Sequence, residues 1–534
     1  MLKTWGLTNF KSIYNTDLEL APLTVLTGTN SSGKSSFIQS MLLIAQTMQN
    51  KYKEYPLILN GQYVNFGTFD DVVAFYHDDE NGRKSVPVGI RWKCKYESKR
   101  AKQKDKIYFS GDNDEKLSAI NDLDYEYPVE TEIEFNIEYD TNNNKDYSET
   151  YKRLMPRLKS VKCVVNTTYE ENNADFDDDD IEEIYVYKGN KKLYIEACGP
   201  NSLNEYLGQN KHYNIKFSLG TDDEPSFFDN AINAEFFHFF PMKVFFSSPN
   251  SDGTIKNRWV LPLGIESEIL LKELDDNFLS KFIYIGPLRE DPKPLYPHSE
   301  FSYMSNFGKK GENTAAILAL YSNSIINVPI TDLDASGKYK TGKKTLKDAV
   351  IEWLNYIGVA EDVKVNVEQG GFTLKVKPHA SNLYSDLTNV GVGVSQVVPI
   401  VVSCLFANKG TTLIFEQPEL HLHPKMQTKL TDFFVAVSQS GRQCIIETHS
   451  EHIINALRYR IAIAPSPEDE KLSEDIKIYF ATKDNGETKF QPIKINEYAV
   501  MSDWPDGFFD ESSKTAKYIM NEVIKKVESG ESYD

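Results

Sequence analysis

Apolar residues fall along this chain in three rhythms, and each predicts a different kind of structure. Four short runs, residues 23–27, 282–285, 411–415 and 443–447, are predominantly apolar or threonine and are bounded by Gly, Pro or polar residues, with Gln443 and Glu447 the polar ends of the last. Such runs read as strands buried on both faces, as parallel sheets require. Helical spacing follows the first, from 34 to about 48, with Phe37, Met41, Leu42 and Ile44 as its apolar positions. A helix over 345–358 carries Leu346, Val350, Ile351, Leu354 and Ile357 on one face, and another is predicted from about Pro424. From about 80 to 255 the composition shifts to Tyr, Asn, Asp and Glu, and stretches such as 132–139, 161–167 and 184–187 alternate with period two. That predicts a β-rich insertion. Residues 59–73 read as a strand and turn, and after Ser450 come strands at 476–481 and 490–495 and a last helix from about 513 to 527. There is no repeat at a solenoid period and no long heptad tract.

The first buried strand runs directly into GTNSSGKSS, residues 28–36, and then into a helix. GxxxxGKS between a strand and a helix is a phosphate cradle: glycines 28 and 33 let backbone N–H groups turn inward, and the helix start adds a favourable dipole. Asn30, Ser31, Ser32, Gly33 and Ser36 form the cradle, Lys34 reaches the β- and γ-phosphates of ATP, and Ser35 ligates Mg²⁺. A metal-bound nucleotide also needs a carboxylate at a neighbouring strand end. Glu416, closing the run 411–415, is predicted to be it, and Ser35 and Glu416 are the expected metal ligands. The run 443–447 delivers Thr448, His449 and Ser450 to the same edge, where ligands of α/β sheets bind.

GTNSSGKSS, EQPELHLHP and ETHS together resemble the ABC-type ATPases of the SMC, RecF and OLD group. LTNFKSI, residues 7–13, looks like that group's first strand, and NVGVGVSQVVPIVV, residues 389–402, is similar to its signature motif. IYIGPLREDP, residues 283–292, and WPDGFFD, residues 504–510, narrow the likeness to bacterial members with a short C-terminal domain of unknown function. The resemblance covers both ends and about 280 to 510, and leaves roughly 80–255 without a matching motif. It implies a P-loop ATPase head of α/β class, a mixed sheet flanked by helices, with a β-rich insertion and a small C-terminal α+β extension. It also implies a homodimer or higher homo-oligomer in which Gly391, Gly393, Ser395 and Gln396 cap a nucleotide held by the partner, and a separately encoded protein effector, such as a nuclease, of the kind controlled by phage-defence sensors. With no heptad tract, the chain is a head without a coiled-coil arm.

One position departs from the group. Where a second acid acts as general base, this chain has Gln417, and an amide takes no proton at neutral pH. Three readings stand: Gln417 orients water and turnover is slow, Glu419 is the base, or the nucleotide is a switch with little turnover. His449 is placed to sense the γ-phosphate, and the catalytic candidates are therefore Glu416, Gln417, Glu419 and His449. His421, His423, His449 and His452 also suggest zinc, but thiolate ligands are missing and the resemblance accounts for HLHP and THS. Arg289 either contacts phosphate or a dimer interface, or forms a buried structural salt bridge. Gln62 is a weak candidate for the group's glutamine loop.

Composition trims these readings. A net charge of −19 argues against broad binding to nucleic acid. Only a local groove at 93–106 or 338–347 would serve, and a solvated charged face explains both clusters as well. The acidic run 175–183, with four aspartates at 177–180, lacks the spacing of a calcium loop and reads as a flexible acidic loop. Five cysteines are scattered without a CxxC pair, and neither a leader nor a membrane-length apolar run is visible, so a cytoplasmic protein without a membrane partner is expected. The tail after 450 is too short for a metal-dependent nuclease domain; Asp506, Asp510 and Glu511 lack supporting strands. The expected division is 1–79 head with phosphate loop, 80–255 insertion, 256–389 lid, 390–460 signature, acidic strand and His449, and 461–534 C-terminal domain. Two rivals remain: a RecF-like DNA-repair ATPase, and a non-catalytic scaffold assembled by ATP.

Overall fold

The computed structural model describes residues 1–51, 55–74, 76–79, 82–85, 87–99, 126–138, 154, 156–167, 189–198, 214–220, 231–238, 240–249, 255–262, 272–297, 307–334, 337–379, 381–463, 471–496, 498–501 and 511–528. The aspartates at 177–180, the alternating stretch 184–187 and the WPDGFFD segment lie outside them. The chain forms two compact units: residues 1–6, 52–57 and 87–273 make one, and 7–51, 58–86 and 274–534 the other.

Strands β1 (Leu2–Phe10), β2 (Ile13–Glu19) and β3 (Leu23–Gly28) open the chain, followed by helix α1 (Lys34–Met48). The first unit is then an antiparallel meander of β4 (Val88–Lys99), β5 (Glu126–Glu138), β6 (Arg157–Thr167), β7 (Gly189–Cys198), β8 (Asn214–Gly220), β9 (Ala231–Phe237), β10 (Phe240–Pro249) and β11 (Ile255–Pro262), each strand pairing with the next. Period-two alternation explains it. Ile90, Trp92, Ile133, Phe135 and Val161 are buried, and Trp92 stacks on Trp5 at 5.4 Å between ring centroids. The other face carries opposite charges directly across the ladder, Lys93 with Glu132 and Lys95 with Glu130, both at 3.0 Å. Lys93 and Lys95 of the 93–106 basic cluster are thus paired within their own sheet.

The second unit continues with β12 (Phe282–Ile285), α2 (Leu346–Ile357), α3 (Val392–Phe406), β13 (Thr412–Glu416), α4 (Pro424–Gln439), β14 (Gln443–Glu447), α5 (Glu451–Ala462), β15 (Ile476–Asp484), β16 (Glu487–Ile493) and α6 (Glu511–Glu528). Among the described residues its central sheet has six strands in the order β12-β13-β14-β3-β15-β16, all parallel except β16. Every residue of β13 and β14 is buried, the apolar centres and the polar ends alike. Helix α2 is capped at its start by Thr345, whose hydroxyl accepts from the Asp348 N–H, and ends at Gly358 in the left-handed region. Its buried face includes Ala349 and Trp353, with Ile351 only half-buried; the Trp353 indole donates to the Pro329 carbonyl at 2.8 Å.

Two expectations change. The segment 59–73 forms no extended strand, only two isolated bridges, Asn60 to Asn65 and Val73 to Phe10, and a short helical turn at Phe69–Asp71. The Gln46 side chain on α1 takes the place of a partner strand: its carbonyl accepts from the N–H groups of Tyr63 and Val64, and its amide donates to the Ile58 carbonyl. The C-terminal segment, expected as a domain of its own from 461, instead supplies strands β15 and β16 to the central sheet, with Ile476 to Ala481 paired against Leu23 to Gly28. No helix among the described residues is long and apolar enough to cross a membrane.

Candidate functional site

The parallel strands β3, β13 and β14 all end at one edge of the sheet, and a cleft of about 340 Å³ opens there. The loop residues Asn30 to Ser36 form its floor, and Gln417, Glu447, His449, Ser12 and Lys483 form its walls. Gly28 and Gly33 have φ of 134° and 99°, a region open chiefly to glycine. Packing forbids a side chain as well. A Cβ on Gly28 would lie 2.2 Å from the Ala481 carbonyl oxygen, and one on Gly33 would lie 2.1 Å from the Thr488 hydroxyl. The first bond of α1, from the Phe37 N–H to the Gly33 carbonyl, starts the helix directly at the loop.

Lys34 is buried and its ammonium folds onto the loop, donating to the carbonyls of Thr29 at 2.7 Å and Gly28 at 3.2 Å and to the Ser32 hydroxyl. Burial holds its pKa below the ordinary range, with the Glu447 carboxylate opposing. Carbonyls satisfy an ammonium only partially, and a phosphate is the stronger acceptor for it. The residues therefore fit a nucleotide polyphosphate.

The carboxylate beside Ser35 is Glu447 and not Glu416. The Ser35 hydroxyl lies 3.0 and 3.1 Å from the two Glu447 carboxylate oxygens. Glu416 is the register partner of Glu447 on the next strand, but its carboxylate accepts from the Tyr284 hydroxyl at 2.8 Å, is buried and does not line the cleft. Burial, reinforced by the Glu416 charge, raises the Glu447 carboxyl, while Lys34 and the Ser35 hydroxyl oppose. A divalent cation would relieve that crowding, and Ser35 with Glu447 is the donor pair facing the cleft. Glu447 closes an apolar strand just as Glu416 does, and that shared position was the available signal.

Gln417 follows at φ 46°, in the left-handed region, and His421 sits at φ 61°. Non-glycine residues hold such angles where their surroundings fix them. Here the Gln417 N–H donates to the Glu447 carbonyl at 2.7 Å, and the buried Arg289 guanidinium donates to the carbonyls of Gln417, Glu416 and Pro287. Arg289 is thus a clamp on the turn rather than a phosphate ligand, with its pKa lowered to about 10 by burial. Glu419 is also buried and turned away from the cleft; its carboxylate accepts from the His449 N–H at 2.8 Å, tying the two strand-end turns together. His449 is half-buried, and burial and Lys34 keep its imidazole below the ordinary histidine value. It faces the cleft neutral at pH 7.

Other candidates lie apart. His423 caps α4 by accepting from the Lys425 N–H, while His421 and His452 are exposed. Among the described residues no three His, Cys, Asp or Glu groups come together as a metal cage. Gln62 is exposed, donates to the Gln49 side chain and does not line the cleft. In the signature stretch Ser395 is buried and donates to the Val392 carbonyl at 2.8 Å. A Cβ on Gly393 would lie 2.9 Å from the His421 carbonyl oxygen, so this glycine packs on the HLHP turn of its own chain. Gly391 and Val392 are exposed at the start of α3.

Likeness to known proteins falls unevenly along the chain. Residues 473–517 match a family described as a protein of unknown function, DUF3696. Among curated proteins none matches significantly. Solved structures similar to the chain include an SMC head bound to the C-winged helix domain of ScpA, at 11% identity and TM-score 0.38, covering 92% of this chain and 98% of that one. The SMC head domain from Thermotoga maritima is similar at 9% identity and TM-score 0.35, covering 92% and 99%. An SMC head with an extended coiled coil from Pyrococcus furiosus gives 10% identity and TM-score 0.33, covering 98% and 99%. Likeness this loose bears on neither function nor partner. The decisive match is longer: residues 1–454 fit the AAA ATPase domain family, which spans the phosphate loop, both acidic strand ends and His449, and the chain belongs to that family.

Proposed function

We propose that the protein binds Mg·ATP in the cleft and hydrolyses it slowly, using Gln417 to orient the attacking water. The observation that carries this reading is Gln417 itself, held in a strained conformation in the wall of the cleft that the Ser35–Glu447 pair and His449 also line. Lys34 and the loop N–H groups would bind the phosphates, Ser35 and Glu447 would hold Mg²⁺, and Mg²⁺ when bound would offset charge on the phosphate oxygens. An amide can donate to and accept from a water but cannot remove its proton, which sets a low ceiling on the rate. Glu419 is tied to the His449 backbone and supports the turn instead.

The same reading has ATP close two copies of the chain face to face. The exposed start of α3 at Gly391 and Val392 supports it as the surface presented to a partner, while Ser395 must exchange its bond to Val392 to reach a phosphate there. Nucleotide-driven closure would control a separately encoded effector, a role that rests on resemblance to phage-defence ATPases. Phosphate release by the purified protein, with Lys34→Ala beside it and particle mass recorded with and without ATP, tests this. Slow turnover lost in Lys34→Ala with ATP-dependent assembly is the expected result. Tight binding with no turnover would leave a scaffold, and turnover that rises on adding DNA would favour the repair reading.

A further inference from the structure

The cleft has two flanks. On one side of β3 lies β14, which brings Glu447 and His449, with Gln417 beyond it on β13; on the other side lies β15. Strand β15 runs parallel to β3 and pairs Ala481 with Gly28, so Lys483 stands two residues beyond the point where the phosphate loop leaves the sheet. Lys483 lines the cleft, and among the described residues no carboxylate pairs with it. Its neighbour Lys489 is paired, to Asp484 at 3.0 Å. The hairpin that carries Lys483 is rigid by construction. Asn485 and Gly486 occupy left-handed positions, at φ 49° and 89°, in a two-residue turn, and Thr488 bonds to Ser12 through both backbone and side chain.

We infer that Lys483 is a nucleotide-binding residue that contacts the phosphate nearest the nucleoside, and that the C-terminal hairpin β15–β16 is a built part of the ATP site. This rests on the Mg·ATP reading above. The argument is positional. Ser35, Glu447, Gln417 and His449 mark the end of the cleft where the metal and the terminal phosphate belong, and Lys483 lies on the opposite flank of the loop, where an unpaired ammonium meets the part of the polyphosphate common to ATP and ADP. The stretch of unknown function, residues 473–517, thereby gains a role in nucleotide binding, since its strands wall the phosphate loop through Ala481 and Thr488 and its lysine holds the ligand.

Equilibrium binding of ATP and ADP to the full chain, with Mg²⁺, tests this across wild type, Lys34→Ala, Lys483→Ala, Lys483→Arg and Lys483→Glu. Lys483→Ala should weaken both nucleotides by the same factor, about 10-fold for loss of one charge-assisted bond, with charge reversal weakening them further. Lys483→Arg should stay within about 3-fold of wild type, as a retained cation would. The nucleotide-free melting temperature should not change, because Lys483 is exposed. Unchanged affinity in Lys483→Ala, loss for ATP alone, or a lower nucleotide-free melting temperature that tracks the loss would each overturn the inference. Wild-type protein that binds neither nucleotide would instead remove the reading beneath it, and normal binding lost only in Lys34→Ala would leave that reading standing without Lys483.

Discussion

The two flanks of the phosphate loop are built in opposite ways. On the β13–β14 side, the buried carboxyl groups of Glu416, Glu419 and Glu447 lie close together at neighbouring strand ends, and the pKa of each is raised by burial. On the β15–β16 side the chain offers backbone packing against the loop, a Thr488–Ser12 bond, and one cation, Lys483, that lines the cleft. The acidic flank stores unfavourable charge that a metal-bound nucleotide can relieve; the hairpin flank fixes the shape of the loop. A site of this kind separates chemistry from support, and each flank can be broken without the other.

The largest effect is expected on the support side. Gly33→Ala places a methyl group against Thr488 at a φ of 99°, and strain plus overlap should cost about 2 kcal/mol or more of stability. Removing the obstacle in a Gly33→Ala, Thr488→Ala double variant should return part of that loss, read as a non-additive shift in denaturant midpoint. Additive losses would mean that the hairpin does not press on the loop.

On the acidic side the sign reverses. The Glu447 carboxyl is raised from 4.5 to about 7 in the folded chain, so the fold keeps a proton that the unfolded chain has already released. Stability therefore falls as pH rises through this window, by up to about 1.4 kcal/mol per pH unit for one proton. Glu447→Gln should remove that slope: the nucleotide-free variant should melt higher than wild type at pH 8 and nearly level with it at pH 4.5, while Mg²⁺-dependent ATP binding is lost. The smallest effect belongs to Glu419→Gln, which keeps an acceptor for the His449 N–H. Turnover should stay within about 3-fold of wild type, whereas loss of a general base would cost about 100-fold or more.

The same division sets what the sequence could reveal. GTNSSGKSS, EQPELHLHP and ETHS are contiguous strings, and each carries its own strand and turn, so the acidic flank and the order of its parts are legible in the residues alone. Which carboxylate faces Ser35 is not, because Glu416 and Glu447 occupy equivalent strand ends and only the Tyr284 hydroxyl, from a third strand, engages Glu416. The hairpin flank is hidden for a different reason. Its contacts join Gly28 to Ala481, set by register across the sheet, and Gly33 in the loop to Thr488 on the next strand, and no local pattern in a single sequence specifies such pairings. The segment 59–73 is a milder case, where one glutamine on α1 takes the place of a strand.

Gln417 carries the proposed chemistry, and its role can be isolated. Single-turnover phosphate release at saturating Mg·ATP, compared between wild type and Gln417→Ala, measures its contribution without interference from product release. Release slowed by about 10-fold or more, with ADP affinity unchanged, is the result this site predicts for a residue that positions water. Equal rates in the two proteins would contradict it and move the chemistry to another group.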